Sequence, residues 1–206
     1  MPSRSIPPKS FKFAQPKVLL LVGGIGVFLA IGFFMGAAHL EENDAFCASC
    51  HTEPESTFFS RSQAAPVDLA SFHHQDQSTR CIDCHSGDGV TGRVSAMQVG
   101  AVDLVAYVTH TAKQPAPLTT PIEDANCLKC HADVPQTRNF SRHFHVFLSR
   151  WQSVDPKAAT CVSCHGGHVT TGTAKLDFIN VSDAKAVCTQ CHTAVESGRI
   201  NLERGG

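Results

Sequence analysis

The strongest pattern in the chain is an uninterrupted apolar run, VLLLVGGIGVFLAIGFFMGAAHL, from Val18 to Leu40. Its 23 residues contain no Asp, Glu, Lys or Arg, and about 20 apolar residues suffice to cross bilayer hydrocarbon as a helix. The rest of the chain is weaker in pattern. Phe140, Phe144, Phe147 and Trp151 recur at helical spacing, and short helices are predicted around Ala96–His110 and Phe140–Trp151. The stretch from Lys113 to Pro121 carries Pro115, Pro117 and Pro121 and reads as a non-helical crossing. No segment alternates long enough for a credible sheet. The expected fold is mainly α and irregular: one N-terminal transmembrane helix followed by a compact domain.

Charge orients that helix. Arg4, Lys9, Lys12 and Lys17 precede the apolar run, while all 18 acidic residues follow position 40. A basic leader stays on the cytoplasmic side. The chain therefore divides into a leader, 1–17, an anchor, 18–40, and an exported domain, 41–206. The expected setting is a bacterial cytoplasmic membrane crossed once, with the N-terminus in and the domain on the periplasmic side. A cleaved signal peptide is the rival, with Gly36-Ala37-Ala38 as a weak cleavage site, but its apolar region is usually shorter. Gly32 and Gly36 form a Gly-x-x-x-Gly pair of the kind that packs against a partner helix. Beyond Leu40, 13 Lys and Arg stand against 18 acidic groups, a formal charge of −5. Nucleic acid calls for the opposite sign and is excluded as a partner.

The chemistry lies in the cysteines. All 10 fall in Cys-x-x-Cys-His units: Cys47, Cys50 and His51; Cys81, Cys84 and His85; Cys127, Cys130 and His131; Cys161, Cys164 and His165; Cys188, Cys191 and His192. Such a unit is the attachment signature of haem c, with thioether bonds from both thiols and iron ligation by the histidine. Zinc would need the pairs to combine two by two, which leaves one over, and neither zinc nor disulfides require the trailing histidine. Five covalent haems are expected in 166 residues, about 33 residues each. So sparse a chain must use porphyrin as much of its buried surface, with rings close enough for electrons to hop.

Seven histidines remain: His39, His73, His74, His110, His143, His145 and His168. They fall into five groups, with one ligand expected from His73 or His74 and one from His143 or His145. Five groups match five irons closed by a second histidine, a set suited to electron transfer rather than to small-molecule chemistry. His168 cannot readily reach the far side of its own unit and is expected to cap a neighbour. Met97 is the one methionine of the exported domain and equally suits helix packing.

Spacing suggests an internal repeat. The step from Cys47 to Cys81 equals that from Cys127 to Cys161, while the steps from Cys81 to Cys127 and from Cys161 to Cys188 differ from it and from each other. CIDCHSGDGVTGRV and CVSCHGGHVTTGTA share a plan, with Thr91-Gly92 and Thr171-Gly172 at equal offsets. A two-haem unit used twice, with a fifth haem added near the C-terminus, accounts for the spacing. Glycine-rich turns after the second and fourth units let backbone pass close to a haem edge.

The anchor, Phe46–His51, His73 or His74, Cys81–His85, Asp103, Tyr107, His110 and Cys161–His168 together resemble the NapC/NirT family of membrane-anchored tetrahaem quinol dehydrogenases, over most of residues 18–170. The resemblance implies quinol oxidation near the membrane, with an acid at Asp103 beside the quinol site and electrons passed to a periplasmic reductase. Three features depart from it: five units replace four, no methionine follows His51, and Arg93 is only a loose substitute for a basic residue near Ala96. In haem number, single anchor and size, the chain is more similar to the pentahaem cytochrome subunit of bacterial alternative complex III. That likeness implies a non-catalytic electron-transfer subunit. Its partners would be integral-membrane quinol-oxidising subunits and an iron–sulfur subunit, with a monohaem cytochrome c or terminal oxidase as acceptor.

Overall fold

In the computed structural model, residues 15–50, 53–118, 120–136 and 143–201 are described, Cys50 by its backbone alone. The chain forms two compact units, residues 1–40 and 41–206. In the first, helix α1 spans Pro16–Leu40, with proline at the first helical position, where its missing N–H costs nothing. None of its residues is buried. Among the described residues it is the single helix long and apolar enough to cross a membrane, which supports a single-pass topology.

The second unit is helical and irregular, with no strand among the described residues. Its helices are α2 (Asp44–Cys50), α3 (Glu55–Ser62), α4 (Leu69–Gln77), α5 (Cys81–His85), α6 (Gly89–Val108), α7 (Asp124–Leu128), α8 (His143–Val154) and α9 (Val181–Glu196). Tight 3₁₀ turns lie at Val134–Gln136, Cys161–Ser163 and Ala174–Leu176. The second and fourth units open α5 and the Cys161 turn, the third starts near the end of α7, and the last lies inside α9.

Contacts between these elements follow chain order. Helix α2 packs on α5, α5 on α7, α7 on the Cys161 turn, and that turn on α9. Successive cysteine units are therefore spatial neighbours from first to last. One apolar cluster, built on Leu148, Trp151, Cys164, Val187, Ala194 and Ile200, holds α8, the Cys161 turn and α9 together. Around α2 to α4 the buried residues are instead polar: Asp44, Ser62, Asp68 and Ser71. Asp68 and Ser71, each 1 % exposed, form the capping box of α4: Asp68 Oδ1 accepts the Ser71 N–H at 2.8 Å, and Ser71 Oγ accepts that of Asp68 at 3.1 Å.

The structure extends the helices read from sequence. Helix α6 starts at Gly89, well before Ala96, and His110 lies past its end with φ 56°. Gly87, at φ +72°, permits the early start: a Cβ there would meet the Gly92 backbone at 2.8 Å, and one on Gly92 would meet Gly87 at 2.7 Å. Of the expected 140–151 helix, α8 covers 143 onward, and 140–142 lie outside the described residues. Helix α9 has no apolar stripe as plain as the phenylalanines. Asn180, whose side chain accepts the Ser182 N–H, and Asp183 in the first turn are its start signals.

Candidate haem-attachment sites

The two halves are built on one device. Asp44 Oδ1 accepts the Cys81 N–H at 2.9 Å, and Asp124 Oδ1 accepts the Cys161 N–H at 2.7 Å. Each aspartate stands just before the first cysteine of one unit and binds the first cysteine of the next, 37 positions along the chain in both cases. The thiols at these junctions are neighbours, Cys47 beside Cys81 and Cys127 beside Cys161. That contact, the largest influence on each, holds the Cys127 thiol at about 7 and raises Cys161. The other junctions differ. There the second cysteine of one unit lies near the first of the next, Cys84 near Cys127 and Cys164 near Cys188. The aspartates went unread in the sequence, although Asp44-Ala-Phe-Cys47 and Asp124-Ala-Asn-Cys127 repeat the same frame.

The histidines come in twos. His85 faces His168 with ring centres 6.3 Å apart, His131 faces His73 at 6.0 Å, His165 faces His145 at 6.2 Å, and His192 faces His143 at 6.3 Å. A metal–imidazole bond of about 2.0 Å, with about 1.1 Å from ring nitrogen to ring centre, puts two imidazoles on opposite sides of one metal about 6.2 Å apart. The residues thus fit a haem iron held from both faces. No group of three or more His, Cys, Asp or Glu converges on one point among the described residues, so the arrangement is one of opposed pairs rather than of a closed tetrahedral site.

Each second histidine is delivered by its own local structure. His168 reaches the second unit from beyond the fourth. The Gly167 carbonyl accepts the Ala70 N–H at 2.8 Å, and the Arg61 guanidinium donates to the His168 carbonyl at 3.2 Å. The Phe58 ring lies on the His168 ring at 3.8 Å and 3°. Burial pushes His168 down to about 4, against the opposing charge of Asp68, and burial also lowers His85. Both rings are therefore neutral near pH 7, the form that binds metal. His73 Nδ1 lies 2.9 Å from the Leu69 carbonyl and His165 Nδ1 lies 2.8 Å from that of Asp177. Donation from Nδ1 fixes each tautomer with Nε2 free for a metal.

Other expected ligands are placed differently. His74 Nε2 is 3.3 Å from Asp44 Oδ2 and is thereby engaged, so of the adjacent histidines it is His73 that faces an attachment histidine. His143 and His145 do not divide into one facing histidine and one surface residue: each meets a different attachment histidine. One turn of α8 can serve two units because α8 and α9 share the apolar cluster with the Cys161 turn. Met97 is buried in α6. His39 and His110 are exposed. His51 and the Cys50 side chain lie outside the described residues.

Helical wrap, neighbouring Cys-x-x-Cys-His units and opposed imidazoles together define a multihaem c-type cytochrome domain behind a membrane-length helix. Residues 155–197, which hold the fourth and fifth units, match the family described as the doubled CXXCH motif. No curated protein and no solved structure matches the chain.

Proposed function

We propose that the chain is a membrane-anchored pentahaem electron conduit, a subunit of a quinol-oxidising complex similar to alternative complex III. The observation that carries it is the set of four histidine pairs at 6.0–6.3 Å, each of which would give one haem iron two imidazole ligands. Bound haem would supply the one-electron chemistry. The chain's own residues orient the imidazoles, would leave such an iron no room for a substrate and set the units side by side.

In this reading His168 caps the second haem, His73 the third, His145 the fourth and His143 the fifth, with His39 and His110 as candidates for the first. The stepwise packing of α2, α5, α7, the Cys161 turn and α9 favours electron passage in chain order, from the anchor toward the C-terminus. The domain faces the periplasm, the basic leader stays inside, and an iron–sulfur subunit and a soluble monohaem cytochrome or oxidase lie before and after it. A stand-alone quinol dehydrogenase of NapC/NirT type is the second reading, favoured by the Arg93–Glu41 ion pair at 2.7 Å on the helix that carries Asp103.

Expression with a c-type maturation system, followed by intact mass and haem quantification, should give five haems per chain, all low-spin when oxidised. Fewer haems, or a high-spin haem that binds nitrite or cyanide, would contradict the conduit. Isolation as a lone cytochrome that oxidises quinol rapidly would favour the second reading over the first.

A further inference from the structure

Helix α6 carries its apolar residues on the outside. Gly92, Arg93, Ala96, Met97 and Asp103 face inward or are partly covered, so the only charged residues of the helix turn away from solvent. The opposite arc holds Val90 at 81 % exposure, Val102 at 67 %, Val105 at 62 % and Val108 at 66 %. A helix on a water-soluble surface shows the reverse arrangement. Exposed Thr91, Ser95 and Gln98 interrupt the arc after Val90, but its last two turns, from Val102 to Val108, form an aliphatic stretch about 9 Å long that marks a face something covers.

The tie of α6 to Glu41 identifies the cover. Arg93 Nη2 lies 2.7 Å from Glu41 Oε2, and a Cβ on Gly100 would stand 3.5 Å from Glu41 Oε1. Glu41 directly follows Leu40, the last residue of the membrane-length helix, and consecutive Cα atoms are about 3.8 Å apart. Two turns of α6 are thus pinned to the residue at which the chain leaves the apolar segment. The outward stripe contains no Lys or Arg, so its attraction is for hydrocarbon rather than for anionic headgroups.

We infer that the Val102–Val108 face of α6 beds in the apolar margin of the bilayer, with lipid acyl chains as its partner. This rests on the reading of α1 as a retained anchor. The test is photolabelling of the full-length holoprotein in nanodiscs of phosphatidylcholine carrying an acyl-chain diazirine, with adducts mapped by peptide mass spectrometry. Adducts on both α1 and α6 are expected, unchanged when part of the lipid is replaced by phosphatidylglycerol. The V102E/V105E variant should lose the α6 adducts several-fold while keeping those on α1. Labelled α1 with unlabelled α6 overturns the inference, since the stripe is then covered by porphyrin or protein. Undiminished α6 adducts in V102E/V105E overturn it also. Absence of adducts from both helices instead overturns the anchor reading on which it stands.

Discussion

Asp44 holds the backbone N–H of Cys81 from a position just before Cys47, and so ties the first two cysteine units into one body. Asp124 repeats the tie for Cys127 and Cys161. The duplication is one of mechanism as well as of spacing: a carboxylate clamps the start of the following helical turn in each half.

Removal of either clamp should loosen one pair of units and spare the other. D44A leaves the Cys81 N–H without its acceptor, at a cost of about 1–3 kcal/mol, and D124A does the same at Cys161. Thermal melting should show the loss in both. Peptide-level haem mass spectrometry should show underloading at Cys47 and Cys81 in the first variant and at Cys127 and Cys161 in the second.

Replacement of a capping histidine should open one iron at a time. H168A, H73A, H143A and H145A are each expected to convert one haem to a high-spin ferric form in electron paramagnetic resonance. H143A/H145A should convert two, because the histidines face different units. H74A should leave every haem low-spin, since His74 is engaged by Asp44. Conversion of a haem in H74A but not in H73A would refute the assignment.

Ring orientation predicts two kinds of low-spin signal. The imidazole planes are near parallel for His85 with His168 and His165 with His145, at 17° and 13°, and crossed for His131 with His73 and His192 with His143, at 89° and 82°. Parallel and crossed planes split the iron d orbitals differently. The oxidised protein should therefore resolve two families of spectra, with H168A depleting the parallel family and H73A the crossed one.

The carbonyl behind His165 gives a backbone test. Asp177, at φ 49°, presents its carbonyl to Nδ1 from a left-handed conformation. D177G accommodates that conformation, whereas D177V meets strain of about 1–2 kcal/mol. Potentiometric titration should show one haem potential displaced in D177V and none in D177G, because the carbonyl that accepts from His165 Nδ1 sets how strongly that imidazole donates to a metal.

Trp151, 1 % exposed, packs in the one apolar cluster and donates from Nε1 to Asp155 at 3.3 Å. W151A should cost about 3–5 kcal/mol. Calorimetry should show the fall, and the haems at Cys161 and Cys188 should be lost before those of the first half.

The sequence revealed what covalent chemistry demands. Cys-x-x-Cys-His is a local pattern, so the units can be read directly from the chain, and the unbroken apolar run from Val18 to Leu40 reads as a helix long enough to cross a membrane, which α1 is. The helical, sheet-free domain followed from periodicity and proline placement. The pairing of histidines was not legible, because it is long-range in both directions. His73 faces His131 across α5, α6, the proline crossing and α7, and His168 faces His85 back across α6, α7 and α8. Of His73 and His74 one faces an attachment histidine, in keeping with their adjacency, whereas the choice between His143 and His145 dissolves because each meets a different unit. The aspartate clamps were present as a repeated Asp-Ala-x-Cys, but their role depends on a contact with a cysteine 37 residues away.

The crossing of His168 to the Cys81 unit also imposes a timetable on biogenesis. As the chain is made, His85 emerges long before the imidazole that faces it, with three helices and two further cysteine units still to come. In the proposed pairing, a haem attached at the second unit before His168 is made would have His85 as its one protein ligand. Premature termination beyond Cys161 but before His168 would thus release a product with an open, reactive iron in its interior.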